Sequence, residues 1–336
     1  MNQHVGNQRL KVGVVGAGAM GASHIATLAA GVPAAQVTRV FDMDTTRAKD
    51  VASAVGGEAS DSAEALIADP QVDAIVIASP DFTHADLAIA AIEAGKHVLC
   101  EKPLAVTADD ARRVVDAEIA AGRRLVQVGF NRRFDPGFLD LKSSIVDGSL
   151  GEVRVLHGIH RNASNSTSTD DAGLVTGSMI HEFDTFRWLL DGEIVGIRVE
   201  SPIAEGFRDP QVATLWTEGG QMITVEVFVN AGYGYDVRVE VVGTGGSASL
   251  EPRTPVVRRI AGQGGSTIGS DFVAHFIESY RLELAAWADA ALRGEVVGAS
   301  AWDGYAANLV AAAGVAALGS GARESVVVPE RPGLYA

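Results

Sequence analysis

Between residue 10 and about residue 130, short β-branched runs alternate with stretches whose apolar residues recur at helical spacing. The runs at 10–16 (LKVGVVG), 36–42 (QVTRVFD), 72–79 (VDAIVIAS), 97–100 (HVLC) and 125–130 (LVQVGF) read as buried strands. Segments 19–30, 45–55, 62–68, 84–94 and 108–121 read as helices. Strands that alternate with helices in this way predict a parallel sheet with crossover helices. After about residue 150 the texture changes to longer alternating strands at 153–159, 211–216, 221–230 and 235–243, which predict an antiparallel sheet. One helix over 178–190 interrupts them, and Ala-rich helices over 271–293 and 300–318 follow, so the second half reads as α+β.

Composition narrows the function classes. The 336 residues suffice for two domains, and 47% hydrophobic content suits well-buried cores. Lys plus Arg number 27 against 42 Asp plus Glu, and the net charge of -15 repels phosphate backbones and anionic surfaces, so neither nucleic acid nor membrane is an expected partner. The single cysteine, Cys100, excludes an intramolecular disulfide and Cys-based zinc sites and fits a reducing compartment. The first ten residues lack the apolar core of a secretion signal, and no apolar run approaches a membrane span, so a cytoplasmic location is expected.

Directly after the first strand stands GAGAMG at 16–21, in G-x-G-x-x-G spacing. Gly16 and Gly18 allow a tight turn and close backbone approach to a pyrophosphate, and Gly21 lets the following helix pack on the strand. The diphosphate then sits on the N–H groups of a helix N-terminus. A glycine turn without a ligand is the bland alternative, and the strand-to-helix placement argues against it. Asp42 ends the second strand 21 residues after Gly21, where a carboxylate accepts from both ribose hydroxyls. It repels a 2′-phosphate and is followed by Met43 and Asp44 rather than arginine, which favours NAD over NADP, with Arg39 and Arg47 the nearest contrary charges.

Three further segments carry candidate chemistry. Lys102, in EKP at 101–103, follows a parallel strand at its carboxyl end, where open α/β sheets collect ligands. There it can hydrogen-bond a substrate hydroxyl or merely pair with Glu101. The SPDFTH run at 79–84 either lines the cofactor or caps a helix. In VTGSMIHEFD at 175–184, His181 is a metal ligand, a proton-transfer group or a packed side chain. The metal reading is poor, because Glu182 points around the helix away from His181 and Asp184.

Taken together, VGVVGAGAMG at 12–21, ASPDFTH at 78–84, AGKHVLCEKPL at 94–104, GFNRRFD at 129–135 and IHEFD at 180–184 resemble the glucose–fructose oxidoreductase/inositol dehydrogenase (Gfo/Idh/MocA) family. Within it they are most similar to the inositol 2-dehydrogenases. The likeness extends to the closing helix FIESYRLELAAW at 276–287. It implies an α/β Rossmann N-terminal domain over 1–130 that binds NAD. It also implies an α+β substrate-binding and oligomerisation domain over 131–336 with a large, mostly antiparallel open sheet. It further implies a C-terminal helix that packs back on the first domain and assembly as a homodimer or homotetramer. The implied reaction is hydride transfer between a ring carbinol and nicotinamide, with Lys102 and His181 catalytic and His181 the general base. Arg132, His160, Asn162, Asp184 and Tyr235 are the implied substrate contacts, with Tyr233 a weaker candidate than Tyr235. The cofactor set comprises Gly16, Gly18, Ala19, Met20, Asp42, Ser79, His84, Glu101 and Lys102, and no metal is implied.

One position departs from the pattern. The resemblance implies an aspartate four residues before the histidine, as in VTDxxIHE, and here that position is Gly177. A carboxylate one turn earlier would hold the imidazole and stabilise the imidazolium as it forms. Three readings fit the glycine: another acid substitutes (Asp184, Asp170 or Asp171), the position has been deliberately altered, or a different substrate uses the space. The leading reading is oxidation of inositol or a related cyclic polyol or sugar. The alternatives are a relative with tightly held NAD that works in epimerisation or glycoside cleavage, and a catalytically weak or silent cofactor- or sugar-binding protein.

Overall fold

Valine, isoleucine and leucine side chains exposed by 0% along the central strands, among them Val12, Val14, Ile75, Val76 and Leu99, form the core of the first half. Burying each contributes about 1.5–3 kcal/mol relative to water. The computed structural model describes residues 9–164, 170–250 and 257–336. The chain divides into two units, one of residues 1–134, 278–308 and 330–336, the other of residues 135–277 and 309–329.

The first unit runs β1 (Leu10–Val15), α1 (Ala19–Gly31), β2 (Ala35–Phe41), α2 (Thr45–Ala54), β3 (Glu58–Ala59), α3 (Ala63–Ala68), β4 (Ala74–Ile77), α4 (His84–Glu93), β5 (His97–Cys100), α5 (Ala108–Ala121) and β6 (Val126–Val128). The sheet order is β6-β5-β4-β1-β2-β3, all parallel, and the two-residue strand Ala299–Ser300 adds an antiparallel edge beside β6. Helix starts follow the expected chemistry: Asp44, Ser62 and Thr107 each accept a hydrogen bond from a first-turn N–H. The order reverses direction between β1 and β4, so the carboxyl ends of these strands make the ligand crevice of a doubly wound sheet. From the helix Ile277–Leu292, the side chains of Leu284, Trp287, Ala288 and Ala291 complete the core around β1 and β2.

The second unit opens with α6 (Pro136–Val146), which the apolar pattern does not predict, although Asp135 caps it and Pro136 starts it in the usual way. Six strands follow: β7 (Val153–Arg161), β8 (Ile194–Glu200), β9 (Gln211–Thr217), β10 (Met222–Phe228), β11 (Asp236–Gly243) and β12 (Ser247–Leu250). Their order is β12-β11-β7-β10-β9-β8, extended at β8 by Glu324–Ser325. All pairs are antiparallel except β7 with β10. The strands alternate, with Ala213, Leu215, Ile223, Val225 and Val227 fully buried on one face. The helix expected over 178–190 begins at Ile180 instead and ends at Leu190, preceded by a π-helical turn, Leu174–Ser178. The helix expected over 271–293 is interrupted at Phe276, where the backbone leaves helical geometry. Residues 165–169, which precede the candidate acids Asp170 and Asp171, lie outside the described residues.

Candidate active site

In the first unit the glycine motif is built for close approach. Gly16 has φ +94, and a β-carbon there would sit 2.5 Å from the Ala78 carbonyl and the Ser79 nitrogen. At Gly21 a β-carbon would fall 1.8 Å from the Gly16 carbonyl oxygen, so α1 packs on the turn only because that side chain is absent. Gly18, by contrast, has open space where its β-carbon would be, and no side chain caps the α1 N-terminus that it begins. Ala19 and Met20 form the first turn of that helix. Asp42 follows β2 and is gripped from both sides: Ala17 N–H donates to Oδ2 (2.7 Å) and Asp44 N–H to Oδ1 (2.8 Å). Each carboxylate oxygen keeps a second lone pair for a ribose hydroxyl. The donors and the open approach at Gly18 therefore fit a dinucleotide, and Arg47 stands 3.8 Å from the Asp42 carboxylate.

The segment after β5 is held by two buried histidines. His24, on α1, makes a 2.7 Å hydrogen bond from Nε2 to Glu101 Oε1, and the Lys102 N–H donates to Oε2 of the same carboxylate at 3.1 Å. Burial alone would raise the Glu101 carboxyl, but His24 and Lys102 outweigh it and hold it below the usual carboxylate range. Glu101 is thus a buried acceptor for its neighbours, bonded by His24 and by the Lys102 N–H. The Lys102–Pro103 peptide is cis. His84 opens α4 and is 1% exposed, with Nδ1 2.7 Å from the Pro103 carbonyl and Nε2 2.9 Å from the Ser79 carbonyl. Ser79 Oγ and Thr83 Oγ1 share a hydrogen bond of 2.6 Å. Arg132 is 2% exposed in the short turn Asn131–Phe134 after β6.

In the second unit the substrate candidates converge on β7, β11 and the helix Ile180–Leu190. His160 near the end of β7 lies ring to ring with His181 (centroids 6.2 Å) and Tyr235 (5.9 Å). Its Nδ1 is 3.2 Å from Glu182 Oε1, and Glu182 is 1% exposed. A carboxylate at that place fixes the proton on Nδ1 and the orientation of the ring. Sequence reasoning sets Glu182 aside as facing elsewhere. The signal that would have found it is a glutamate next to a histidine in a segment flanked by Ile180, Phe183, Phe186 and Leu189, where a buried carboxylate demands a partner. His275 is a second residue the pattern does not reveal, edge-on to Tyr235 at 5.3 Å.

Asp184, three residues after His181, is 1% exposed. Asn162 follows β7, its main chain bonded to Phe228 and Ala231, and its buried Oδ1 has no partner among the described residues. Tyr235 is 5% exposed and packs among aromatic rings, whereas Tyr233 is 44% exposed and donates to Asp236. Gly177 lies in the π-helical turn one turn before His181, and a β-carbon there would meet nothing within 4 Å. Two of the acids considered as its substitutes are engaged elsewhere. Asp170 caps the Gly173 N–H, and Asp171 accepts from the Arg208 N–H at 2.7 Å. Among the described residues no three His, Cys, Asp or Glu side chains are arranged to hold a metal ion, and no helix is long and apolar enough to cross a membrane.

Two family descriptions match this chain: an oxidoreductase family with an NAD-binding Rossmann fold over residues 10–130, and the GFO/IDH/MocA C-terminal domain over residues 138–249. The chain belongs to the Gfo/Idh/MocA oxidoreductase family. Among Gfo/Idh/MocA proteins it is 48% identical over 333 residues to inositol 2-dehydrogenase 1 of Saccharopolyspora erythraea, covering 97% of this chain and 99% of that one. It is 43% identical over 336 residues to an inositol 2-dehydrogenase of Azotobacter vinelandii, with 97% and 99% covered. The crystal structure of myo-inositol dehydrogenase from Lactobacillus casei in complex with NAD(H) and myo-inositol superposes with a TM-score of 0.93 at 34% identity, covering 98% of this chain and 100% of that one. Gly16 and Asp42 lie within residues 10–130, the part of the chain that matches the NAD-binding Rossmann fold of that family.

Proposed function

We propose that this chain oxidises a ring secondary alcohol of inositol or a closely related cyclic polyol in an NAD-dependent reaction, with His181 as general base assisted by Lys102. The observation that carries the reading is the cluster of His181, His160, Glu182 and Tyr235 in a chain 48% identical, along nearly its whole length, to an inositol 2-dehydrogenase. Bound NAD supplies the acceptor for the hydride released from the carbinol carbon. The protein's task is then to remove the hydroxyl proton as that carbon becomes a carbonyl. A neutral imidazole is suited to this, and His181 takes the proton. Lys102 hydrogen-bonds the same oxygen and eases its deprotonation.

Discrimination among ring alcohols falls to the second unit. Asp184 and Asn162 Oδ1 accept from ring hydroxyls, and His160, held by Glu182, presents a fixed ring beside the wall formed by Tyr235. Arg132 serves the substrate end of the cofactor. Sites built to hydrogen-bond hydroxyl groups reject analogues that lack them, so selectivity for a densely hydroxylated ring follows. The test is NADH formation on myo-inositol and a small panel of polyols. His181→Ala is expected to lower kcat by roughly three orders of magnitude while leaving NAD affinity intact. Full activity in that variant removes His181 as the base.

A further inference from the structure

His84 sits where a neutral histidine is out of place. Its ring is 1% exposed, yet both nitrogens face main-chain carbonyl oxygens, Pro103 at 2.7 Å from Nδ1 and Ser79 at 2.9 Å from Nε2. A carbonyl oxygen only accepts, and a neutral imidazole has one N–H and one lone pair. In either neutral tautomer one of the two contacts would set lone pair against lone pair in a buried place, with a carbonyl left unsatisfied. A ring protonated at both nitrogens satisfies both carbonyls with charge-assisted bonds. We propose that His84 is an imidazolium that positions Lys102, donating one N–H to the Pro103 carbonyl beside it and the other to the Ser79 carbonyl at the end of β4.

The surroundings support the charge. Burial works against a cation, but interaction with Cys100 and the two carbonyl bonds outweigh it and push the ring up to about 10. The N-terminus of α4 opposes a positive charge, and Asp81 and Asp86 in the neighbouring first turns are of the opposite sign. With the ring charged, the backbone of Lys102 is fixed at both ends. Its N–H is held by the Glu101 carboxylate, which His24 fixes, and the carbonyl of the next residue is held by His84. The same ring ties this segment to the Ser79 turn, so two loops at the carboxyl edge of the sheet are set by one side chain. Displacing a reacting group by about 1 Å costs about a hundredfold in rate, which is what such a strap prevents.

The inference rests on the proposed catalytic part of Lys102 for its consequence, but the charge on His84 is read separately. Full-length protein labelled with nitrogen-15 in histidine, with His84→Gln to assign the resonance, reports the ring directly. At about pH 8, where an ordinary histidine is neutral, both His84 nitrogens are expected to carry protons, and one unprotonated nitrogen at that pH overturns the proposal. In kinetics, His84→Leu is expected to lose about a hundredfold in kcat and His84→Gln, which keeps a donor, about tenfold, each with the polyol KM changed less than about threefold. A folded His84→Leu with parental kcat also overturns it. If that variant does not fold, the spectrum of the unaltered protein still decides. Parental kcat in Lys102→Met would instead sink the catalytic reading of Lys102 and leave the spectrum's answer on His84 unchanged.

Discussion

An aspartate at position 177 would meet no obstacle, because a β-carbon built there has no heavy atom within 4 Å. It would stand one turn before His181 and place a carboxylate there, whereas Asp170 and Asp171 bond Gly173 and Arg208. Gly177→Asp is therefore expected to raise kcat on whichever ring alcohol the parent already oxidises, by at least about tenfold, a lower bound beneath the roughly two to four orders of magnitude that carboxylate–histidine pairs contribute elsewhere. No gain on any ring alcohol would mean that the proton-transfer role has passed to another carboxylate or was never limiting. Residue-level reasoning from the sequence singles out Asp42 and Lys102 from their strand ends and His181 from its helical segment, while His160 enters only through the family resemblance. It does not reach His24, His275 or Glu182. Their contacts are made by residues 77, 40 and 22 positions away, and no local pattern encodes a partner at such separations.

At the scale of elements, the β1–α1–β2 unit is the most legible part of the chain. Its strands are rich in β-branched residues, its helix starts at a glycine, and the conformation of the turn follows from the spacing of Gly16, Gly18 and Gly21. Gly21→Ala tests that packing: the added carbon falls 1.8 Å from the Gly16 carbonyl oxygen, which is backbone and cannot swing aside. Destabilisation of about 3 kcal/mol is expected from forcing atoms into a filled space, read as a lower denaturant midpoint, together with lost NAD binding. Unaltered stability would contradict the close approach. The second unit is less legible. A period of two identifies β7 and β10 as strands facing a core but is the same for either direction, so their parallel pairing is invisible in the pattern. The π-helical turn at Leu174–Ser178 and the break at Phe276 are likewise departures from a helical period that the apolar residues on either side do not mark.

For the whole molecule, the chain's last turn belongs to the first unit's core. Tyr335 is 5% exposed, and its hydroxyl donates to Glu118 Oε2 at 2.6 Å. The other oxygen of Glu118 accepts from the Leu125 and Val126 N–H groups at the start of β6, and burial raises the Glu118 carboxyl. Removing the hydroxyl in Tyr335→Phe leaves a buried carboxyl oxygen without its donor, at a cost of about 1–3 kcal/mol, seen as a lower Tm with kcat unchanged. A variant of parental Tm would show that the contact is dispensable. The central claim concerns the reaction, and isotope transfer tests it most directly. With myo-inositol deuterated at its ring carbons, incubation with the protein and NAD is predicted to place one deuterium per turnover at C4 of the reduced nicotinamide. Tight NAD binding with no reduced cofactor from any ring alcohol, or reduced cofactor without the label, would contradict it.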